Sequence, residues 1–228
     1  MSGVRVSLLT AMGVLGLSAP AAQAQSAARP EPGRFEFAVG PLWVGRQTLG
    51  ASDATLTTGV GGTLPLFSTS TELSSMAGIE ARIGVRVTRA LEAEASASYG
   101  KPHLRTAIGN DTENAASVTA TDAMQQFTVG GGVLWYLPRR GASRLAPFLT
   151  GGAAYLRQLH EDATLVATGK MSQFGGGVKY LLRARDRNRL KGVGVRIDAR
   201  AVLRSKGIAF DDRQHFSPAA GASLFVRF

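Results

Sequence analysis

Few residues in this 228-residue chain have types and spacing suited to chemistry. Cysteine is absent, which excludes disulfides, thiol nucleophiles, iron–sulfur clusters and cysteine zinc sites. The three histidines, His103, His160 and His215, are far apart in sequence. The acids nearest them, Glu161, Asp162, Asp211 and Asp212, complete no ligand spacing that would force convergence on a metal. Serines are abundant, but no His shares a strand face with a Ser and a carboxylate at matching height. We therefore assign no catalytic, cofactor-binding or metal-binding residue and expect no enzyme activity. Gly130-Gly131-Gly132 and Gly175-Gly176-Gly177 are not phosphate loops, because they lack the Lys-Ser/Thr pair and the following helix. Inside strands, such glycines mark bends or close packing.

What remains is a set of charges at intervals of two, and the elements that carry them are strands. Ala77, Ile79, Ala81, Ile83, Val85 and Val87 alternate with Gly78, Glu80, Arg82, Gly84 and Arg86. Leu91, Ala93, Ala95, Ala97 and Tyr99 alternate with Glu92, Glu94, Ser96 and Ser98. Val193, Val195, Ile197, Ala199, Ala201 and Leu203 alternate with Gly194, Arg196, Asp198, Arg200 and Val202. A helix of period 3.6 would mix each pair of sets, whereas a strand separates them onto two faces. Segments of this kind cover 34–44, 76–87, 91–100, 123–137, 145–157, 171–183, 192–203 and 218–228. In 145–157 the run Leu149-Thr150-Gly151-Gly152-Ala153-Ala154 leaves the two faces indistinguishable. The connections alternate between long polar stretches (45–75, 101–122, 158–170 and 204–217) and short ones (88–90, 138–144 and 184–191). All three histidines fall in the long stretches.

Strands of about ten residues with alternating long and short connections predict an all-β, eight-stranded antiparallel up-and-down transmembrane β-barrel. A soluble sandwich would show the same alternation. Three features favour the barrel. The polar faces combine glycine with charges of both signs, as a confined lumen requires. Several apolar faces are rich in Ala, which lipid tolerates and a dry core does not. Finally, up-and-down topology places Phe35, Trp135, Tyr136, Tyr180 and Phe228 near one rim and Trp43, Tyr99, Phe127 and Tyr155 near the other. That arrangement forms two aromatic girdles at interface depth.

With the polar faces turned inward, Glu36, Glu80, Glu92, Glu94 and Asp198 enter the lumen. They face Arg82, Arg86, Lys179, Arg196, Arg200 and Arg227. An eight-stranded barrel is only wide enough for side chains to fill it, so these charges must pair with one another. The tight hairpin at 88–90 sets Arg86 opposite Glu92 and Arg82 diagonal to Glu94. We expect Arg82, Arg196 and Arg200 to be held by Glu80, Glu94 and Asp198 as a charge-paired plug.

The last nine residues, Ala220-Gly221-Ala222-Ser223-Leu224-Phe225-Val226-Arg227-Phe228, alternate and close on an aromatic ring. This ending resembles the C-terminal strand signature of bacterial outer-membrane proteins, with Phe228 as the assembly signal. The stretch 34–228 resembles the small eight-stranded bacterial outer-membrane β-barrel family, of the opacity-protein and OmpX type. The resemblance implies a Gram-negative outer-membrane location, with the barrel assembly machinery and outer-membrane lipids as partners.

Residues 1–24 read as a signal peptide, with Arg5, an apolar stretch and the small-x-small site Ala22-Gln23-Ala24. A flexible segment, 25–33, leads into the barrel domain at 34–228. The net charge of +10 would suit a nucleic-acid binder. The excess instead gathers in the short turns: Arg89, then Arg139, Arg140 and Arg144, then Arg183, Arg185, Arg187, Arg189 and Lys191 against Asp186. No aromatic platform for bases accompanies it. Anionic lipid headgroups fit these turns, and nucleic acid is not expected. The expected protein is a porin-like monomer with a structural or surface-interaction role and long extracellular loops whose ligand the sequence does not name. Two rivals stay open, a narrow small-solute channel and a lipid A-modifying barrel enzyme.

Overall fold

The computed structural model describes residues 34–57, 59, 61–110, 116–138, 144–160, 166–184, 190–206 and 214–228. The expected signal peptide and lead-in lie outside the described residues. The strands are β1 (Phe35–Val44), β2 (Gln47–Thr57), β3 (Thr63–Leu73), β4 (Met76–Arg86), β5 (Leu91–Gly100), β6 (His103–Gly109), β7 (Val118–Tyr136), β8 (Leu145–His160), β9 (Val166–Ala184), β10 (Gly192–Lys206) and β11 (His215–Arg227).

Eight of these strands close on themselves. Starting at β1, the antiparallel ring runs through β4, β5, β7, β8, β9, β10 and β11 and returns to β1. The chain is thus an eight-stranded antiparallel up-and-down barrel. The closing seam is fixed at the short-turn end, where Phe228 N–H donates to the Phe35 carbonyl at 2.8 Å. The hairpin β4–β5 has the expected register, with Arg86 opposite Glu92 and Gly84 opposite Glu94. Its turn is held by the Thr88 hydroxyl, which accepts from the Leu91 N–H at 3.0 Å.

Alternation sorts the side chains as the residue types require. On β10, Arg196 is 1% exposed while its neighbour Ile197 is 62% exposed. The wall of 145–157, ambiguous in sequence, resolves with Leu145, Leu149 and Tyr155 outward and Phe148 and Leu156 inward. Phe148 packs with Leu134, Tyr136 and Ala146 in an apolar cluster inside the barrel.

The stretches 45–75 and 101–122 differ from expectation. They are largely strand rather than loop. β2 and β3 form a hairpin, turned around Gly61 at a φ of 84°, and β3 pairs with β6, which pairs with the first part of β7. Four barrel walls, β1, β4, β5 and β7, therefore continue past the rim as a small sheet. It is rich in Thr, Ser and Ala. β-branched Thr favours the extended backbone, but so little apolar contrast hides the period. The sheet is anchored by Leu49, Leu73, Leu104 and Met124, all buried together.

Candidate functional site in the barrel lumen

The inward positions of β1, β4, β5, β9, β10 and β11 bring together all the charges expected in the lumen, arranged in tiers along the barrel axis. The middle tier is neutral. Asp198 lies at its centre and accepts from Arg82 Nη1 at 2.8 Å and Arg196 Nε at 3.1 Å, with Arg200 Nε at 2.9 Å from its other oxygen. Glu80 takes Arg200 Nη2 at 2.7 Å and also binds Arg82. Glu94 binds Arg196, while Arg82 Nε is farther from it, at 3.8 Å. Three guanidinium groups thus meet three carboxylates, joined across the lumen by strands far apart in sequence.

The second tier lies toward the short turns. Lys179 Nζ donates to Glu36 at 2.5 Å and to Glu92 at 2.8 Å. Arg227 Nη2 donates to Glu36 at 2.8 Å, and Arg86 lies 3.6 Å from Glu92. The Tyr136 hydroxyl donates to Glu92 at 2.5 Å. Its ring lies under Arg86, whose guanidinium carbon is 4.4 Å from the ring centre. Arg196 stands over Phe148 at 4.7 Å, so an aromatic ring packs between the tiers. Cations stacked on ring faces are stabilised by the ring quadrupole.

Space for these long side chains comes from small inward neighbours. A Cβ at Gly84 would collide with the Glu92 carboxylate, and one at Gly175 would collide with the Ala199 carbonyl across the ladder. Gly194 is equally constrained, because a side chain there would strike the Phe225 ring and the Tyr180 carbonyl.

Tyr136 corrects one expectation. It is 4% exposed and faces the lumen, whereas Trp135 is 57% exposed. Adjacent strand residues point to opposite faces, so only one of the two can join a girdle. Of the other ring positions, Phe35, Trp43, Phe127, Tyr155, Tyr180 and Phe228 are exposed outward. Tyr99 packs on Phe127 with ring centres 4.8 Å apart.

Among the lumenal residues that escaped the sequence analysis are Gln126, Gln158, Phe148 and Arg204. Arg204 had a usable signal, since it continues the inward series of Arg196, Asp198, Arg200 and Val202, but the strand was expected to stop at 203. The histidines also lie on strands rather than in loops, on β6, β8 and β11. Among the described residues no group of three His, Asp or Glu side chains gathers as a metal site. Of the basic turn residues, Arg89, Arg144, Arg183 and Lys191 are exposed. Arg139, Arg140, Arg185, Asp186, Arg187 and Arg189 lie outside the described residues.

No protein-family model matches the chain, and no curated protein matches it. Among solved structures it is similar to the Neisserial surface protein NspA, at 14% identity and TM-score 0.49, covering 84% of this chain and 97% of that one. It is also similar to the outer membrane protein OprG from Pseudomonas aeruginosa, at 9% identity and TM-score 0.49, covering 86% and 95%. A third is Ail of Yersinia pestis, crystallised with the heparin analogue sucrose octasulfate, at 11% identity and TM-score 0.40, covering 84% and 99%. The closed eight-stranded fold of this chain stands on the register of its own strands.

Proposed function

We propose that this protein is a monomeric, non-enzymatic integral outer-membrane barrel, closed to through-flow by its ion-paired lumen, with a structural or surface-contact role. The observation that carries this is the inversion of the barrel. Charges fill the inside, while Ile79, Ile83, Val129, Val133, Trp135, Leu149, Phe174, Ile197 and Leu224 stand exposed on the outside. A continuous apolar belt of that kind has no stable existence in water, but it matches a bilayer's hydrocarbon band. Both ends of the described barrel chain meet at the short-turn end, which suits the periplasmic side of a secreted protein, with outer-membrane lipids around the belt and basic turns near headgroups. The outer sheet of β2, β3, β6 and β7 then projects outward as the surface available to contact a ligand or another cell.

The closed reading rests on the middle tier. Arg82, Arg196, Arg200, Glu80 and Asp198 are each less than 10% exposed and bridge the lumen wall to wall. Planar-bilayer recording tests it. The refolded protein should give no steady conductance, and stable open steps would replace the plug with the small-solute channel. A gel of unheated and heated samples tests the barrel in membranes, since a closed barrel migrates differently until it is boiled.

A further inference from the structure

Beyond the two paired tiers, on the side of the extended strands, the lumen holds a guanidinium with no counter-charge among the described residues. Arg204 is 3% exposed. Its Nη2 donates to Gln126 Oε1 at 2.9 Å, while its Nε and Nη1 have no acceptor among the described residues. Gln126 Oε1 already accepts from Gln158 Nε2 at 3.1 Å, so both its lone pairs are engaged. No described acid forms an ion pair with Arg204. Glu80, the carboxylate that lines the same cavity as Arg204, is committed to Arg200 and Arg82.

This side chain borders a cavity of about 30 Å³ whose polar lining includes Arg204, Arg200, Gln126, Gln173 and Ser217, with the paired Glu80 carboxylate. Arg200 Nη1 reaches Gln173 Oε1 at 2.9 Å, which places a second guanidinium at the cavity wall. A buried charge of this kind is stable only when paired. The space holds about two waters, which suits a halide or a group as small as formate. We propose that the vestibule above the plug is a binding site for a small monovalent anion, held by Arg204 Nε and Nη1.

This site goes beyond the closed-barrel function and does not depend on where the barrel resides, so its failure leaves that function standing. The test uses the full barrel refolded in detergent. Urea unfolding is followed while bromide replaces gluconate at constant ionic strength, for wild type, Arg204→Lys and Arg204→Met. In wild type the midpoint should rise with the logarithm of bromide once bromide exceeds the dissociation constant. At ten times the dissociation constant the folded-to-unfolded ratio increases about elevenfold. Arg204→Lys should keep a weaker response, and Arg204→Met none. Equal responses in wild type and Arg204→Met, or a rise linear in bromide rather than logarithmic, would overturn the site. If Arg204→Met does not fold, bromide anomalous diffraction on wild-type crystals decides. A peak within hydrogen-bond distance of Arg204 Nε or Nη1 supports the site, and water alone at that position refutes it.

Discussion

Replacing Asp198 with Asn is the sharpest perturbation of the lumen. The side chain keeps its size and one acceptor oxygen, so packing against Arg82, Arg196 and Arg200 is preserved. What changes is charge. The middle tier goes from three acids and three bases to two acids and three bases, all at most modestly exposed. Asp198 has a fully buried side chain and is the one acid in contact with all three arginines. Removing one partner of such a network costs roughly 3–5 kcal/mol, and lumenal water places the expected loss near the lower end. A second change, Arg200→Gln, restores neutrality. The double variant should then be more stable than the sum of the single losses by about 0.5–3 kcal/mol, the range for residues sharing a network. Urea unfolding in lipid vesicles measures both quantities. A single-variant loss under about 1 kcal/mol, within reach of an ordinary neutral hydrogen bond, would show that the lumen is water-filled and its charges screened. Strict additivity would show that the pairs act independently, and either outcome removes the physical basis of the plug.

Three further outcomes are expected. Ile197→Arg, on the apolar belt, should cost roughly 2–4 kcal/mol in vesicle refolding, while Ser96→Ala in the lumen stays within about 0.5 kcal/mol; equal costs would mean the faces are reversed. Gly194→Ser is unsuitable as the mild lumenal control, because its Cβ would strike the Phe225 ring. Tyr136→Phe should cost roughly 1.5–3 kcal/mol, the worth of a hydrogen bond to a charged group. A girdle tyrosine facing lipid would tolerate the change, so near-neutrality in the same unfolding assay contradicts the inward placement. Leu49→Ala removes a side chain that is 0% exposed from the cluster anchoring the outer sheet, and should loosen that sheet by about 2–5 kcal/mol. Limited proteolysis should then cut near 58–62 with the barrel core intact, and unchanged protection would mean the sheet does not rely on that cluster.

The division between inside and outside was legible in the chain because strand periodicity is two and the residues on the two faces differ strongly in polarity. Wherever Glu, Arg and Gly alternate with Val, Ile and Ala, as at 77–87 and 192–203, residue type alone decides the face. The short turn at 88–90 likewise fixes which residues of β4 and β5 stand opposite each other, since so few turn residues leave little freedom of register. Where contrast fails, so does the inference. The run at 149–154 is small on both faces, and only its ladders to β7 and β9 settle that Phe148 points inward. The Thr- and Ser-rich segments of β2, β3 and β6 carry no two-sided pattern, and they are strands because neighbouring walls offer edges to pair with and Leu49, Leu73 and Leu104 find a common cluster. The partner of Glu94 is the clearest case. Local register presents Arg82 diagonally on the adjacent strand and keeps its Nε 3.8 Å from the carboxylate, yet the carboxylate's hydrogen bonds go to Arg196, because closing the barrel carries β10 across the lumen to within reach. Ring closure is a property of the whole sheet, so the contacts it creates between opposite walls, including that of Arg204 with Gln126, exist only in the folded barrel.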